Sequence, residues 1–118
     1  MDNEFEWNEN NLEKWMEVTT RWVSYEATES NPKGLTKFYD DLYAWLEVMG
    51  FELETHIDSE APYRPVIIAK KEPTKADGPW LGFFQHYDVE PIHEEWGTNP
   101  WELVRKDERV YGRGIADN

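Results

Sequence analysis

At Gly50 the spacing of apolar residues changes period, and that change bounds what this chain can fold into. Upstream, bulky or apolar side chains at Leu12, Trp15, Met16, Thr19, Trp22, Val23 and Ala27 recur at three- and four-residue intervals. That is the stripe of an amphipathic helix over 11–27. Asn10 or Asn11 stands where a helix cap is expected. Glu29-Ser30-Asn31-Pro32-Lys33-Gly34 breaks the stripe as a loop. A second stripe follows at Leu35, Phe38, Tyr39, Leu42, Trp45, Leu46 and Met49, and Gly50 sits where a left-handed residue ends a helix.

Past Gly50 the side chains alternate. Phe51, Leu53 and Thr55 interleave with acids, which predicts a half-buried strand. Pro65-Val66-Ile67-Ile68-Ala69 predicts a second strand. Residues 72–79 are rich in Pro, Asp and Gly and read as a turn. Trp80-Leu81-Gly82-Phe83-Phe84 predicts a third strand, apolar on both faces, as in sheets covered by helices on both sides. From Pro91 to Pro100 the chain is loop-like. Leu103-Val104 and Val110-Tyr111 flank a polar turn and predict a small hairpin. Helices followed by strands make an α/β layered sandwich, and no later helix stripe follows to cover the other sheet face, so an incomplete domain is expected.

Composition narrows the function. The chain has 118 residues, 39% of them hydrophobic and 15% aromatic, which is too much apolar surface for a disordered tail. No apolar run reaches the roughly 18 residues of a membrane span. The acidic, polar start lacks the basic and apolar regions of a secretory signal, so a cytoplasmic location is expected. A net charge of −13 argues against nucleic acid, which needs a concentrated basic surface. With no cysteine, thiolate chemistry is excluded, and any metal site must use His, Asp and Glu.

His86 and Asp88 stand at i and i+2 beyond the third predicted strand. Extended backbone points both to one side, and catalytic groups in α/β folds gather at the carboxyl ends of strands. A histidine there can bind a metal through one ring nitrogen while a carboxylate fixes the other. Further along, Gly112 and Gly114 precede Asp117, whose two oxygens suit it to bridging two divalent ions. Each signal alone is weak: His-x-Asp is also a polar strand end, and an Asp after a Gly-rich turn is also a helix cap.

Together, in order, the residues carry a resemblance. Gln85-His86-Tyr87-Asp88-Val89-Glu90-Pro91, Trp96, Asn99-Pro100-Trp101, and then Val110-Tyr111-Gly112-Arg113-Gly114-Ile115-Ala116-Asp117-Asn118 closely resemble a zinc metallopeptidase and deacylase family. It is that of aminoacylase, carnosinase-type dipeptidases, glutamate carboxypeptidase, acetylornithine deacetylase and succinyl-diaminopimelate desuccinylase. The resemblance runs from about residue 10 to the end, and the Val-Glu-Pro wording leans toward the dipeptidases. It implies a three-layer αβα catalytic domain with a mixed sheet. His86 would ligate one zinc, Asp117 would bridge two, and Asp88, assigned to the catalytic machinery, would orient the imidazole. A cis peptide would follow Asp117. The implied cofactor is a zinc pair, with Co²⁺ or Mn²⁺ as alternatives. The implied chemistry is amide hydrolysis, in which the ions acidify a water and polarise the carbonyl while a glutamate acts as base. The implied substrate is a small peptide or N-acyl amino acid, with no nucleic acid or membrane partner and a homodimer possible for the full-length form.

The family's base glutamate, its remaining ligands and its dimerisation domain are expected beyond Asn118. Glu94-Glu95 precede Asp117 and do not fit the base pair. His56 and His93 read as solvated, and Trp96 and Trp101 as packing residues. Residues 1–118 are thus expected to be the N-terminal part of a catalytic domain, binding zinc weakly and inactive alone. The alternative is a non-catalytic α/β module that associates with a partner or a full-length paralogue.

Overall fold

The computed structural model describes residues 9–117. Its elements run α1 (Glu9–Val23), α2 (Pro32–Val48), β1 (Glu52–His56), β2 (Val66–Lys70), β3 (Val104–Lys106) and β4 (Arg109–Tyr111). This is the expected α/β partial architecture: two helices, then small antiparallel sheets. Among the described residues no helix is long and apolar enough to cross a membrane.

α1 starts earlier and ends earlier than its apolar stripe. Asn10 and Asn11 lie inside its first turn rather than capping it, because the backbone is already helical at Glu9. The helix stops at Val23, and Glu26 adopts a left-handed φ of 52°. That residue redirects the chain, so Ala27 is buried beneath a turn instead of on a helix. α2 is capped by Asn31, whose side chain accepts from the Gly34 N–H and donates to the Glu26 carbonyl. Pro32 fills the first turn, where its missing N–H costs nothing. Gly50 takes the expected left-handed conformation, with φ +81°.

The two helices meet through aromatic rings. Trp22 packs edge-on against Trp45 and tilted against Phe38, and Trp15 packs edge-on against Trp45. Such pairs add about 0.5–1.5 kcal/mol each beyond area burial. Between them Asp41 accepts hydrogen bonds from Arg21, the Trp22 indole and the Tyr25 hydroxyl. Leu35 is fully buried at the base of α2.

β1 and β2 form an antiparallel hairpin in which Glu52 pairs with Lys70 and His56 with Val66. Leu53, Thr55, Ile67 and Ala69 face inward, and the Tyr39 hydroxyl hydrogen-bonds Thr55 across 2.8 Å, tying α2 to the sheet. β3 and β4 form the small hairpin predicted there, turning through left-handed Asp107 and Glu108.

The third predicted strand does not form. Residues 80–84 carry no strand, and Leu81, Phe83 and Phe84 are 82%, 84% and 97% exposed. A strand exists only by pairing, and among the described residues no segment pairs with 80–84. Both described ladders are two-stranded and antiparallel, whereas the mixed sheet that the resemblance implies belongs to the complete domain.

Candidate metal centre

Although 80–84 is unpaired, the segment that follows it is anchored through Tyr87 and Val89. Tyr87 and Val89 turn inward. The Tyr87 ring stacks on Phe38 at 5.9 Å between centroids, and its hydroxyl donates to the Pro65 carbonyl at 2.8 Å. Burial, and then the Asp88 charge, push that phenol up to about 12. The Val89 N–H donates to the Ala27 carbonyl at 2.8 Å, pinning the segment to the link between α1 and α2. His86 and Asp88 therefore point outward together, as the i and i+2 argument predicts.

Asp117 arrives from the other side. After β4 the chain turns at Gly114, where φ is +88° and a Cβ would stand 2.7 Å from the Val89 side chain. This close crossing brings Asp117 against His86, from which it is 31 residues distant in sequence. The three nominated residues, His86, Asp88 and Asp117, thus meet at one place.

Their geometry is directional. His86 Nδ1 lies 2.9 Å from the Asp88 carbonyl oxygen and 3.2 Å from its carboxylate. His86 Nε2 lies 3.3 Å from Asp117 Oδ1. When Nδ1–H donates to Asp88, the Nε2 of a neutral ring is an acceptor facing a second acceptor. Only a cation relieves that opposition: a proton, giving imidazolium, or a metal ion. The Asp88 carbonyl, and then the Asp117 carboxylate, accordingly hold the imidazolium above its usual range against the opposing pull of burial. Two atoms bound to one tetrahedral zinc at roughly 2.0–2.1 Å stand about 3.4 Å apart, and the observed gap is 3.3 Å. The donor set therefore fits a divalent ion of the zinc type.

The set is small. Among the described residues no group of three or more His, Cys, Asp or Glu is arranged to hold a metal. His56 is exposed on β1 and pairs with Glu54, and His93 is exposed in the loop. The bond after Asp117, where a cis peptide is expected, lies outside the described residues. From sequence, Glu94 is weighed only as a base and Arg113 is quoted only within its motif, whereas the structure pairs the two at 2.6 Å beside the site. No local pattern signals that pair, since its partners come from separate loops.

Fold and site together define an α/β protein with an exposed cluster of one histidine and two carboxylates. Comparison with known proteins sharpens this. Over 82 residues the chain is 37% identical to a succinyl-diaminopimelate desuccinylase from Novosphingobium aromaticivorans, covering 67% of this chain and 21% of that protein. It is 30% identical to a cysteinylglycine-S-conjugate dipeptidase from Corynebacterium striatum, covering 91% of this chain and 24% of that protein. It is 25% identical to a beta-Ala-His dipeptidase from Rattus norvegicus, over 97% of this chain and 26% of that protein. No family model and no solved structure matches the chain. The chain belongs to the peptidase and deacylase family of these enzymes. It spans between a fifth and about a quarter of the length of the relatives it matches.

Proposed function

We propose that this chain is the N-terminal part of the catalytic domain of a metal-dependent hydrolase that cleaves amide or peptide bonds. The observation that supports this best is the meeting of His86 Nε2 and Asp117 Oδ1 at 3.3 Å, with Asp88 on the opposite ring nitrogen. In this reading His86 and Asp117 hold a divalent ion, zinc first and cobalt or manganese in its place. Asp88 fixes the imidazole tautomer and raises its basicity. An ion bound there would supply polarisation of an amide carbonyl and acidification of a water. The protein's own contribution is orientation: Tyr87 and Val89 anchor the segment inward so that His86 and Asp88 stay outward.

The substrate class follows from the relatives' names. A succinylated amino acid, a β-alanyl-histidine dipeptide and a cysteinylglycine conjugate share an amide bond beside a free carboxylate. We assign this chain's parent activity to small peptides or N-acyl amino acids, acting in the cytoplasm, with a homodimer as the full-length form. The described residues supply two metal-binding side chains, fewer than the three a catalytic zinc site uses. The 118 residues alone are therefore expected to bind zinc weakly and to leave amides intact.

The test is a Zn²⁺ titration followed on the histidine ring nitrogens by NMR, with hydrolysis of β-alanyl-histidine and of a succinylated amino acid assayed in parallel. Movement of His86 Nε2, abolished in Asp117→Ala, supports the reading. Zn²⁺ binding that ignores both residues would sink it. The second reading, a non-catalytic module, draws on the exposed apolar run Leu81–Phe84. It predicts association with a partner or paralogue and no response of His86 to Zn²⁺.

A further inference from the structure

Arg113 joins the segment that carries His86 and Asp88 to the segment that carries Asp117. One guanidinium nitrogen, Nη2, donates to the Pro91 carbonyl at 3.2 Å, just past Asp88, and to Glu94 Oε1 at 2.6 Å. Its backbone N–H donates to the Pro100 carbonyl at 2.8 Å. The guanidinium lies over the Trp96 ring, 5.2 Å from the centroid. Trp96 in turn donates its indole N–H to the same Glu94 oxygen at 2.9 Å, and the other Glu94 oxygen accepts the His93 N–H at 3.1 Å. Glu94 is thus held by three donors, and it fixes Arg113 from the end of its side chain.

This is more apparatus than an exposed ion pair carries. The Arg113 side chain is only 20% exposed, and its Nε is buried without a partner among the described residues. Keeping such a group is costly, and a rigid planar fork over an aromatic ring is a placement that lysine cannot reproduce. Just beyond Arg113 lies the Gly114 crossing that delivers Asp117.

We propose that Arg113, clamped by Glu94 and Trp96, is a positioning residue that sets the separation of His86 and Asp117 and thereby the metal affinity of the centre. This rests on the metal reading of those two residues. Arg113 touches neither substrate nor ion. It fixes the loop geometry on both sides of the site at once.

The experiment uses the full 118-residue chain, titrated with Zn²⁺ and followed on the His86 ring nitrogens, with amide hydrogen exchange measured without metal. Glu94→Gln and Arg113→Lys are each expected to raise the Zn²⁺ concentration for half-shift by roughly ten-fold, the lower end for outer-shell partners of a metal ligand. The double variant is expected to lose no more than either single, because both act through one clamp. Without metal, both variants are expected to exchange the Arg113 amide faster. Faster exchange with unchanged Zn²⁺ affinity would overturn the proposal, since the clamp would then be structural only. Additive losses in the double variant would overturn it too. Should Zn²⁺ leave the wild-type ring nitrogens unmoved, the metal reading itself fails and the proposal falls with it. If Arg113→Lys does not fold, Glu94→Gln, which keeps the side-chain size, carries the test.

Discussion

His86 Nε2 faces Asp117 Oδ1 across 3.3 Å, while Nδ1 of the same ring lies against both the carbonyl and the carboxylate of Asp88. The ring is therefore held from both ends by groups that only accept. Removing His86 or Asp88 has unequal consequences. His86→Ala removes the proposed nitrogen ligand and should abolish Zn²⁺ binding at this place. Asp88→Ala leaves the ligand but frees its tautomer, and should weaken Zn²⁺ by roughly 10–100-fold, as loss of such partners does elsewhere. Calorimetric titration of the wild type and both variants reads this order. Equal effects for the two variants would contradict the assignment of Asp88 to orientation.

Asp41 predicts a pH dependence of stability. Burial raises its carboxyl, but donors from Arg21, Trp22 and Tyr25 outweigh that and hold it below its usual range. A carboxylate whose folded pKa is depressed contributes stability above the unfolded value of about 3.9, lost as pH falls through the folded value. Asp41→Asn keeps the shape and loses the charge. It should cost roughly 1–3 kcal/mol at neutral pH, the scale of charge-assisted hydrogen bonds. The deficit relative to wild type should shrink once pH falls below about 4. Urea unfolding across acid pH measures it, and a deficit that stays constant into strong acid would exclude this role.

Much of this was legible in the sequence. The two stripes on either side of Asn31 became α1 and α2 because burial of one helix face is written at fixed spacing. The pair His86 and Asp88 could be nominated because alternation is local, and Tyr87 and Val89 supply its inward half. Asp117 needed the resemblance, since nothing local says which loop a distant carboxylate reaches. Two things were not legible. The end of α1 turns on left-handed Glu26, whose conformation depends on the Asn31 side chain holding its carbonyl from the next helix. The strand at 80–84 failed because apolar content signals only that a segment can be buried, whereas a ladder also needs a partner edge.

Gly114 connects fold to site. Its φ is +88°, and an added Cβ would lie 2.7 Å from Val89 Cγ1. Gly114→Ala should therefore cost about 1–2 kcal/mol for the left-handed backbone alone, and the crowding against Val89 should displace Asp117 and weaken Zn²⁺. Gly97→Ala, where a Cβ would meet nothing within 4 Å, is the control and should leave Zn²⁺ binding unchanged. Unfolding midpoints and Zn²⁺ titrations of both variants check this. A Gly114→Ala chain as tight for Zn²⁺ as wild type would show that the crossing does not set the site.

The exposed run at 81–84 predicts an inversion of the usual rule for large apolar residues. Phe84 is 97% exposed and Leu81 82%, so neither holds the fold described here. Replacing Leu81, Phe83 and Phe84 together with Ser should leave the unfolding free energy within about 0.5 kcal/mol per substitution, the ordinary range for surface changes. The same variant should bind less of an apolar dye and self-associate less, because a contiguous apolar patch is what both report. Leu35→Ala, a smaller change at the fully buried base of α2, should instead cost roughly 2–5 kcal/mol. Denaturation curves, dye fluorescence and sedimentation on the two variants read the contrast. A large stability loss from the triple variant would mean that the run is packed in solution, and the strand expected from the sequence would then be formed after all.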